Sequence, residues 1–200
     1  MKRFLILLLI SHFTIAFSQK IYFDENDKII SEKEYNDRQI PFGKLKVCND
    51  SLQKCKIIPT RSEDGAIESE RFITDLAKLL KIKIDSQKPT VINFHPGKDR
   101  CNSTGTATSQ NQYLWHKEEE RLSNRIKQSN FLYIYKNETN LKTKKKLPWF
   151  KDPKNIIENT FFHYSYPCSS FVIIYNNKYR SYFGEFSKDQ VVDDLKTIIK

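Results

Sequence analysis

Four cysteines, Cys48, Cys55, Cys101 and Cys168, carry the widest range of chemistry in this 200-residue chain. Cysteines form structural disulfides, exchange disulfides as thiolates, or bind soft metal ions. None of the four has a partner at Cys-x-x-Cys spacing, the arrangement of a standard dithiol site. Because four cysteines allow three pairings, their role depends on the compartment and on the elements that position them.

The first eighteen residues predict that compartment. Lys2 and Arg3 precede an apolar run, and the small residues Ala16 and Ser18 occupy the −3 and −1 positions of a cleavage site. We interpret residues 1–18 as a cleavable signal peptide, too short to span a bilayer. The mature chain is therefore expected to be exported to a periplasmic or extracellular location, without stable membrane insertion, where disulfides persist.

Charge and motif content narrow the function classes. The chain has 34 Lys and Arg against 24 Asp and Glu, a net charge of +10 that falls to +8 without Lys2 and Arg3. The lysines at 142 and 144–146 are interpreted as a solvated loop, and no aromatic-interleaved basic stripe indicates nucleic-acid binding. The sequence has no Gly-rich phosphate loop, no Ser/His/Asp order and no His-x-x-x-His motif, so no cofactor is expected.

Residues 19–65 predict a small β-rich N-terminal extension. Short strands are expected on either side of a capping box at Ser31 and Glu34, over residues 21–23, 29–30, 44–48 and 54–58. The last two strands form a hairpin in which Cys48 and Cys55 sit on facing arms, where their Cβ atoms can approach to disulfide distance. Cys48–Cys55 is therefore the pairing that the residues themselves favour.

Residues 66–200 predict a larger α/β domain, because apolar periodicity alternates between helices and buried strands. Helices are expected at 69–80, in a segment that contains Trp115 and ends at about residue 128, after Asp152-Pro153, and from Ser187 onward. Strands are expected at 89–94, 131–135, 171–175 and 179–183, the last two joined by an Asn-Asn turn. Crossover connections followed by a hairpin predict a mixed sheet flanked by helices on both faces.

This order of elements, with Tyr166-Pro167 before the penultimate strand, resembles the thioredoxin fold over residues 70–200. In that family the X-Pro bond is cis and lies against the active-site loop, whose place is taken here by residues 94–101. The resemblance implies that Cys101 and Cys168 lie together across the usual active-site groove. The loop sequence HPGKDRCNST has a single cysteine, which departs from the Cys-x-x-Cys of the family's thiol–disulfide catalysts.

Three roles stay open for Cys101 and Cys168. They form a permanent disulfide that locks the groove, they act with Pro167 as a rearranged redox-active pair, or they are unpaired or bridged elsewhere. The permanent disulfide is favoured, because the basic neighbours of Cys101 are opposed by Asp99 and neither cysteine is marked as the more reactive.

Two histidines add a metal hypothesis. His95 lies in the same loop as Cys101, and His163 lies five residues before Cys168. Thiolates together with imidazoles suit copper or zinc. A metal site formed by these four side chains is therefore a further alternative.

The other conspicuous residues are interpreted as structural. Glu118–Glu120 is expected on a solvated helix face. Six aromatic side chains are expected in the core or along the groove, at Trp115, Trp149, Phe161, Phe162, Tyr164 and Tyr166.

Together these features predict an exported thioredoxin-like protein without a standard dithiol site, which acts as a binding or accessory module for an unidentified protein or peptide partner. The alternatives are a thiol–disulfide oxidoreductase that uses Cys101 and Cys168, and a copper- or zinc-binding protein.

Overall fold

The computed structural model describes residues 20–103 and 105–200, so the predicted signal peptide lies outside the described residues. The described chain is α/β, with two β-sheets and flanking helices. None of the helices in these ranges combines the length and hydropathy needed to cross a membrane.

The N-terminal sheet has four short strands in the order β2-β1-β4-β3. The strands are β1 (Ile21–Phe23), β2 (Ile29–Ile30), β3 (Leu45–Asn49) and β4 (Lys54–Ile58). Helix α1 (Glu32–Asp37) follows β2, and the Ser31 side chain caps it by accepting from the Glu34 backbone N–H at 3.1 Å. The predicted short strands are thus present, and so is the Ser31 cap, whereas the Glu34 carboxylate accepts from Arg38 at 3.0 Å.

The larger sheet has six strands in the order β5-β10-β9-β6-β7-β8. These are β5 (Ser62–Ala66), β6 (Thr90–His95), β7 (Asn130–Tyr135), β8 (Trp149–Lys151), β9 (Ser170–Tyr175) and β10 (Lys178–Tyr182). The remaining α-helices are α2 (Ser69–Leu80), α3 (Ser109–Ile126), α4 (Ile156–Phe161) and α5 (Lys188–Ile198). Strands β6, β7 and β8 are parallel, whereas β9, β10 and β5 add antiparallel pairs, so the sheet is mixed as predicted.

The alternation of side chains along β6 and β9 divides the core between the two faces of this sheet. One face packs Ile92 and Val172 against α2, α4 and the N-terminal sheet. The other face packs Val91 and Ile173 against α5, and α3 lies beside α5. Asn93 and His95 share this second face with Val91, which places polar side chains beneath α3.

Two edge strands of the larger sheet are absent from the sequence prediction. Strand β5 has the sequence SEDGA, which is polar enough to suggest a turn, yet it pairs with β10 over its whole length. Strand β8 has three residues and pairs with β7 only from Tyr133 to Tyr135. Edge strands are short and polar because one side faces solvent, so they lack the apolar pattern of central strands.

Backbone contacts join the small sheet to the segment that precedes β9. The Ser165 N–H donates to the Cys48 carbonyl oxygen at 2.8 Å, and the Asn49 side-chain amide donates to the His163 carbonyl oxygen at 2.6 Å. The small sheet therefore supports the chain just ahead of Cys168.

Candidate functional site

The cysteines form two disulfides, and no free cysteine is present in the described ranges. Cys48 and Cys55 are directly opposite each other in the β3–β4 hairpin, with Cα atoms 4.0 Å apart, as the sequence predicts. Cys101 and Cys168, 67 residues apart, have Cα atoms 5.1 Å apart. This second bridge is the pairing that the thioredoxin resemblance implies.

A hydrogen-bond network fixes the Cys101 loop against Cys168. Asp99 Oδ1 accepts from the Asn102 N–H at 2.7 Å, and Asn102 Oδ1 accepts from the Asp99 N–H at 3.1 Å. Asp99 Oδ2 accepts from the Cys168 N–H at 2.7 Å, while the Asn102 amide donates to the carbonyl oxygens of Gly97 and Cys168. Asn140 donates to the Asn102 carbonyl oxygen at 2.6 Å. The two segments that carry the disulfide are thus joined by hydrogen bonds as well as by the bond between the sulfurs.

The backbone at Pro167 departs from the family expectation. The peptide bonds of the described residues are trans, including Tyr166–Pro167, for which the resemblance implies the cis form. Cys168 then has a φ of 69°, in the left-handed region that L-residues rarely adopt. The Asp99 contact and the disulfide hold Cys168 in this conformation, which turns its N–H toward the loop.

A cavity of about 380 Å³ lies beside this disulfide, at the carboxyl end of β6 and below α3. We call it the disulfide cavity; its walls include Cys101, Cys168, Trp115, His116, Trp149 and Glu185. Neither cysteine is buried. Trp115 and Trp149 are the two tryptophans of the chain, and both line this cavity rather than the core.

A buried carboxylate lies behind the cavity wall, which corrects the prediction for the acidic triplet. Glu119 is 0 % exposed, although Glu118–Glu120 was expected on a solvated face. The Asn93 side-chain amide donates to both Glu119 oxygens at 3.0 and 3.1 Å, and His116 Nδ1 lies 3.3 Å from Glu119 Oε2. Asn93, Glu119 and His116 form what we call the Asn–Glu–His network.

Further polar groups surround this network. Glu120 accepts from the Tyr133 hydroxyl at 2.7 Å, and burial raises the pKa of Tyr133 above its ordinary value. His95 is 8 % exposed, and its Nε2 lies 3.1 Å from the Thr139 carbonyl oxygen, to which it donates. Burial lowers the pKa of His95, against the opposing effect of this hydrogen bond.

The histidines do not join the cysteines as metal ligands. In residues 20–103 and 105–200, the cysteines group at ligand distance with Glu185, the three ligand atoms lying within 4.8 Å of one another. His95 bonds to Thr139 instead, and His163 is exposed on the segment that pairs with the small sheet. Because both sulfurs are bonded to each other, they offer no thiolate to copper or zinc.

The sequence contains signals for the residues that were missed. Glu119 follows Trp115 by four residues and precedes Leu122 and Ile126 by three and seven, so helical spacing places it on the inward face of α3. Asn93 interrupts the apolar run TVINF of a buried strand, and a buried amide requires a partner. Glu185, three residues after the end of β10, carries no such signal.

Comparison of the chain with protein-family models, with curated proteins and with solved structures finds no match in any of the three. The functional argument therefore rests on the geometry of the disulfide cavity.

Proposed function

We propose that this chain is an exported, thioredoxin-like binding or accessory protein, in which the Cys101–Cys168 disulfide is structural and forms one wall of the binding cavity. The observation that carries the proposal is the position of Glu185, whose carboxylate lies within 4.8 Å of both sulfurs. This carboxylate disfavours thiol–disulfide exchange at the bridge.

Exchange proceeds by attack of a thiolate on one sulfur of the bridge and release of the other as a thiolate. Negative charge therefore develops on the sulfurs that Glu185 faces. Catalysts of this reaction instead place the reactive cysteine in an electropositive setting or at a helix N-terminus. Here the Asp99 carboxylate accepts a hydrogen bond from the Cys168 N–H. A second acidic side chain therefore lies close to the bridge.

The bridge closes a long loop and thereby stabilises the fold. Its sequence separation of 67 corresponds to about 4 kcal/mol in the chain-entropy model. The hydrogen bonds of Asp99 and Asn102 with the Cys168 backbone hold the same segments together, so reduction would leave the cysteines close and favour their reoxidation. Both features are expected of a structural disulfide.

The order of elements supports the thioredoxin-like part of the proposal. Strands β7, β6, β9 and β10 form the centre of the larger sheet, with α3 connecting the parallel pair β6–β7 and α5 following the β9–β10 hairpin. The disulfide lies where the loop after β6 meets the segment before β9, the place of the active-site groove in the resemblance. Two disulfides, in turn, are compatible with an oxidising, exported location.

A redox titration of the mature protein tests the proposal. The protein is equilibrated in glutathione or dithiothreitol buffers, thiols are trapped by alkylation, and each disulfide is quantified by peptide mass mapping. Cys48–Cys55 serves as the internal reference, because Cys55 is 1 % exposed and sits within a hairpin. We expect Cys101–Cys168 to stay oxidised down to about −300 mV, as structural bridges do.

Three other outcomes would overturn the proposal. A midpoint for Cys101–Cys168 between about −120 and −230 mV would assign the protein to the thiol–disulfide oxidoreductases. Copurification of one equivalent of copper or zinc with the reduced protein would assign it to the metal-binding proteins. Trapping of free Cys101 and Cys168 in protein purified under oxidising conditions would remove the bridge itself.

A further inference from the structure

The disulfide cavity contains an acceptor that no side chain of the described residues satisfies. Asn93 lines the cavity and is 2 % exposed, and its Oδ1 has no hydrogen-bond donor in the described protein. The orientation of this amide is set by its other end, which donates to both oxygens of Glu119. A buried carbonyl oxygen without a donor is costly, but this atom is itself closed to solvent, so a ligand N–H reaches it only if the cavity wall shifts.

A carboxylate lies behind the cavity wall. Glu119 is fully buried, and its contacts are the neutral Asn93 amide and the ring of His116. A buried carboxylate interacts strongly with a nearby cation because the surrounding dielectric is low. Since His116 Nδ1 faces Glu119, its Nε2 is the ring nitrogen available to a ligand. Glu185 adds a second carboxylate on the cavity wall.

The remaining walls are aromatic. Trp115 and Trp149 line the cavity, and the His116 ring lies 5.0 and 5.9 Å from them, edge-on to both. Tryptophan faces attract organic cations through cation–π interactions, and a planar guanidinium also stacks on them. Aromatic faces together with carboxylates therefore select a cation over a neutral or anionic ligand.

One lysine also lines the cavity, and its positive charge opposes a cationic ligand at its own part of the wall. Lys142 lines the cavity, but its Nζ donates to the carbonyl oxygens of Gly105 and Ala107 at 3.1 and 2.9 Å. Its ammonium group is thus used to fix the loop that precedes α3. The neighbouring lysines 144–146 are exposed, as expected of a solvated loop.

We propose that the disulfide cavity binds the guanidinium group of an arginine side chain presented by a protein or peptide partner. This inference rests on the proposed binding function and names the chemistry of its ligand. The guanidinium stacks on a tryptophan face, with Glu185 on the cavity wall and Glu119 buried behind it as the nearby carboxylates. A volume of about 380 Å³ accommodates a single long side chain rather than a folded segment.

Intrinsic fluorescence tests this proposal directly, because both tryptophans of the protein line the site. The mature, oxidised protein is titrated with Nα-acetyl-arginine methylamide and, as the neutral isostere, with Nα-acetyl-citrulline methylamide. We expect a saturable fluorescence change with the arginine probe below about 10 mM and at least about tenfold weaker binding of the citrulline probe. Equal binding of the two probes, or no saturable change with either, would overturn the proposal.

Three variants test whether the fluorescence change comes from binding at the disulfide cavity. Glu185→Gln keeps shape and folding, and it is expected to weaken binding of the arginine probe about threefold, whereas Glu119→Gln is expected to weaken it about tenfold. Glu70→Gln, exposed on α2 on the opposite face of the sheet, is the matched control and should bind as the unaltered protein does. An unchanged affinity in both Glu185→Gln and Glu119→Gln would refute the assignment even if binding occurs.

The source of the guanidinium is distinguished by a third probe. Free L-arginine is expected to bind no more tightly than the capped probe, because the partner supplies a side chain within a chain. Tenfold tighter binding of free arginine would assign the site to a small metabolite. These results are independent of the redox titration, so failure of the arginine proposal and failure of the structural-disulfide proposal are separately visible.

Discussion

Replacement of Glu185 by glutamine is expected to accelerate reduction of Cys101–Cys168. The substitution keeps the size and hydrogen-bonding capacity of the side chain but removes the charge that lies within 4.8 Å of both sulfurs. Because the attacking and leaving thiolates carry negative charge, the carboxylate raises the free energy of the transition state for exchange.

The magnitude follows from Coulomb's law. Two unit charges separated by 4.8 Å repel by about 0.9 kcal/mol at the dielectric constant of water, a value suited to exposed Glu185. This corresponds to about a four- to fivefold faster reduction in the variant at low ionic strength. At 0.1 M salt, where the Debye length is about 10 Å, screening reduces the repulsion to about 0.5 kcal/mol and the effect to about twofold.

The assay is pseudo-first-order reduction with excess dithiothreitol, with alkylation at timed intervals and mass mapping of both disulfides. Cys48–Cys55 in the same molecule controls for a general destabilisation of the fold, and Glu70→Gln controls for the loss of one negative charge elsewhere. Identical rates for Cys101–Cys168 in the variant and the unaltered protein at low salt would refute the electrostatic argument. Equal acceleration of both disulfides would refute it as well, because the effect would then be one of stability.

Three further predictions concern stability and are measured by urea unfolding of the oxidised protein. Glu119→Ala should lower the free energy of unfolding by about 3 kcal/mol, since it leaves the buried Asn93 amide without an acceptor. Glu118→Ala should change the free energy of unfolding by less than about 0.5 kcal/mol. Equal effects of the two substitutions would contradict the buried role of Glu119. Burial lowers the pKa of His95 below its ordinary value of 6.5. As the pH drops from about 7 to 5.5, the unfolded chain therefore binds a proton more readily than the native chain, and the free energy of unfolding should fall. His95→Gln should flatten this pH dependence, and an unchanged slope would refute the role of His95. Ser187→Ala should cost about 1 kcal/mol, because the Ser187 hydroxyl caps α5 by accepting from a backbone N–H at 3.2 Å; no loss of stability would contradict that cap.

Much of the fold is predictable from local signals. The caps at Ser31 and Ser187 set the starts of α1 and α5, and both residues accept the expected backbone hydrogen bond. The Asn176-Asn177 turn joins β9 and β10 with φ values of 49° and 60°, which asparagine tolerates better than most residues. Strands β5 and β8 were missed because pairing at a sheet edge, not an apolar pattern, makes them strands.

The candidate site is less predictable, because it depends on contacts between distant segments. The Cys48–Cys55 bridge follows from hairpin geometry, but Cys101–Cys168 was inferred only through the family resemblance. Glu119 was misassigned because its two acidic neighbours dominate the local composition, although its place in the helical period points inward. Glu185 reaches the sulfurs only through the tertiary fold, and no sequence pattern indicates that contact.

The backbone bridge between Ser165 and Cys48 gives the small sheet a part in oxidative folding. Cys48 and Cys55, separated by seven residues, close a short loop and are expected to pair first, whereas Cys101 and Cys168 must meet across 67 residues. Once the β3–β4 hairpin is crosslinked, its outer strand offers a fixed edge to residues 163–165 and so places Cys168, three residues later, in front of the incoming loop. The N-terminal extension thus serves as an intramolecular template. Removing it, which also removes Cys48 and Cys55, is expected to slow formation of the Cys101–Cys168 bridge.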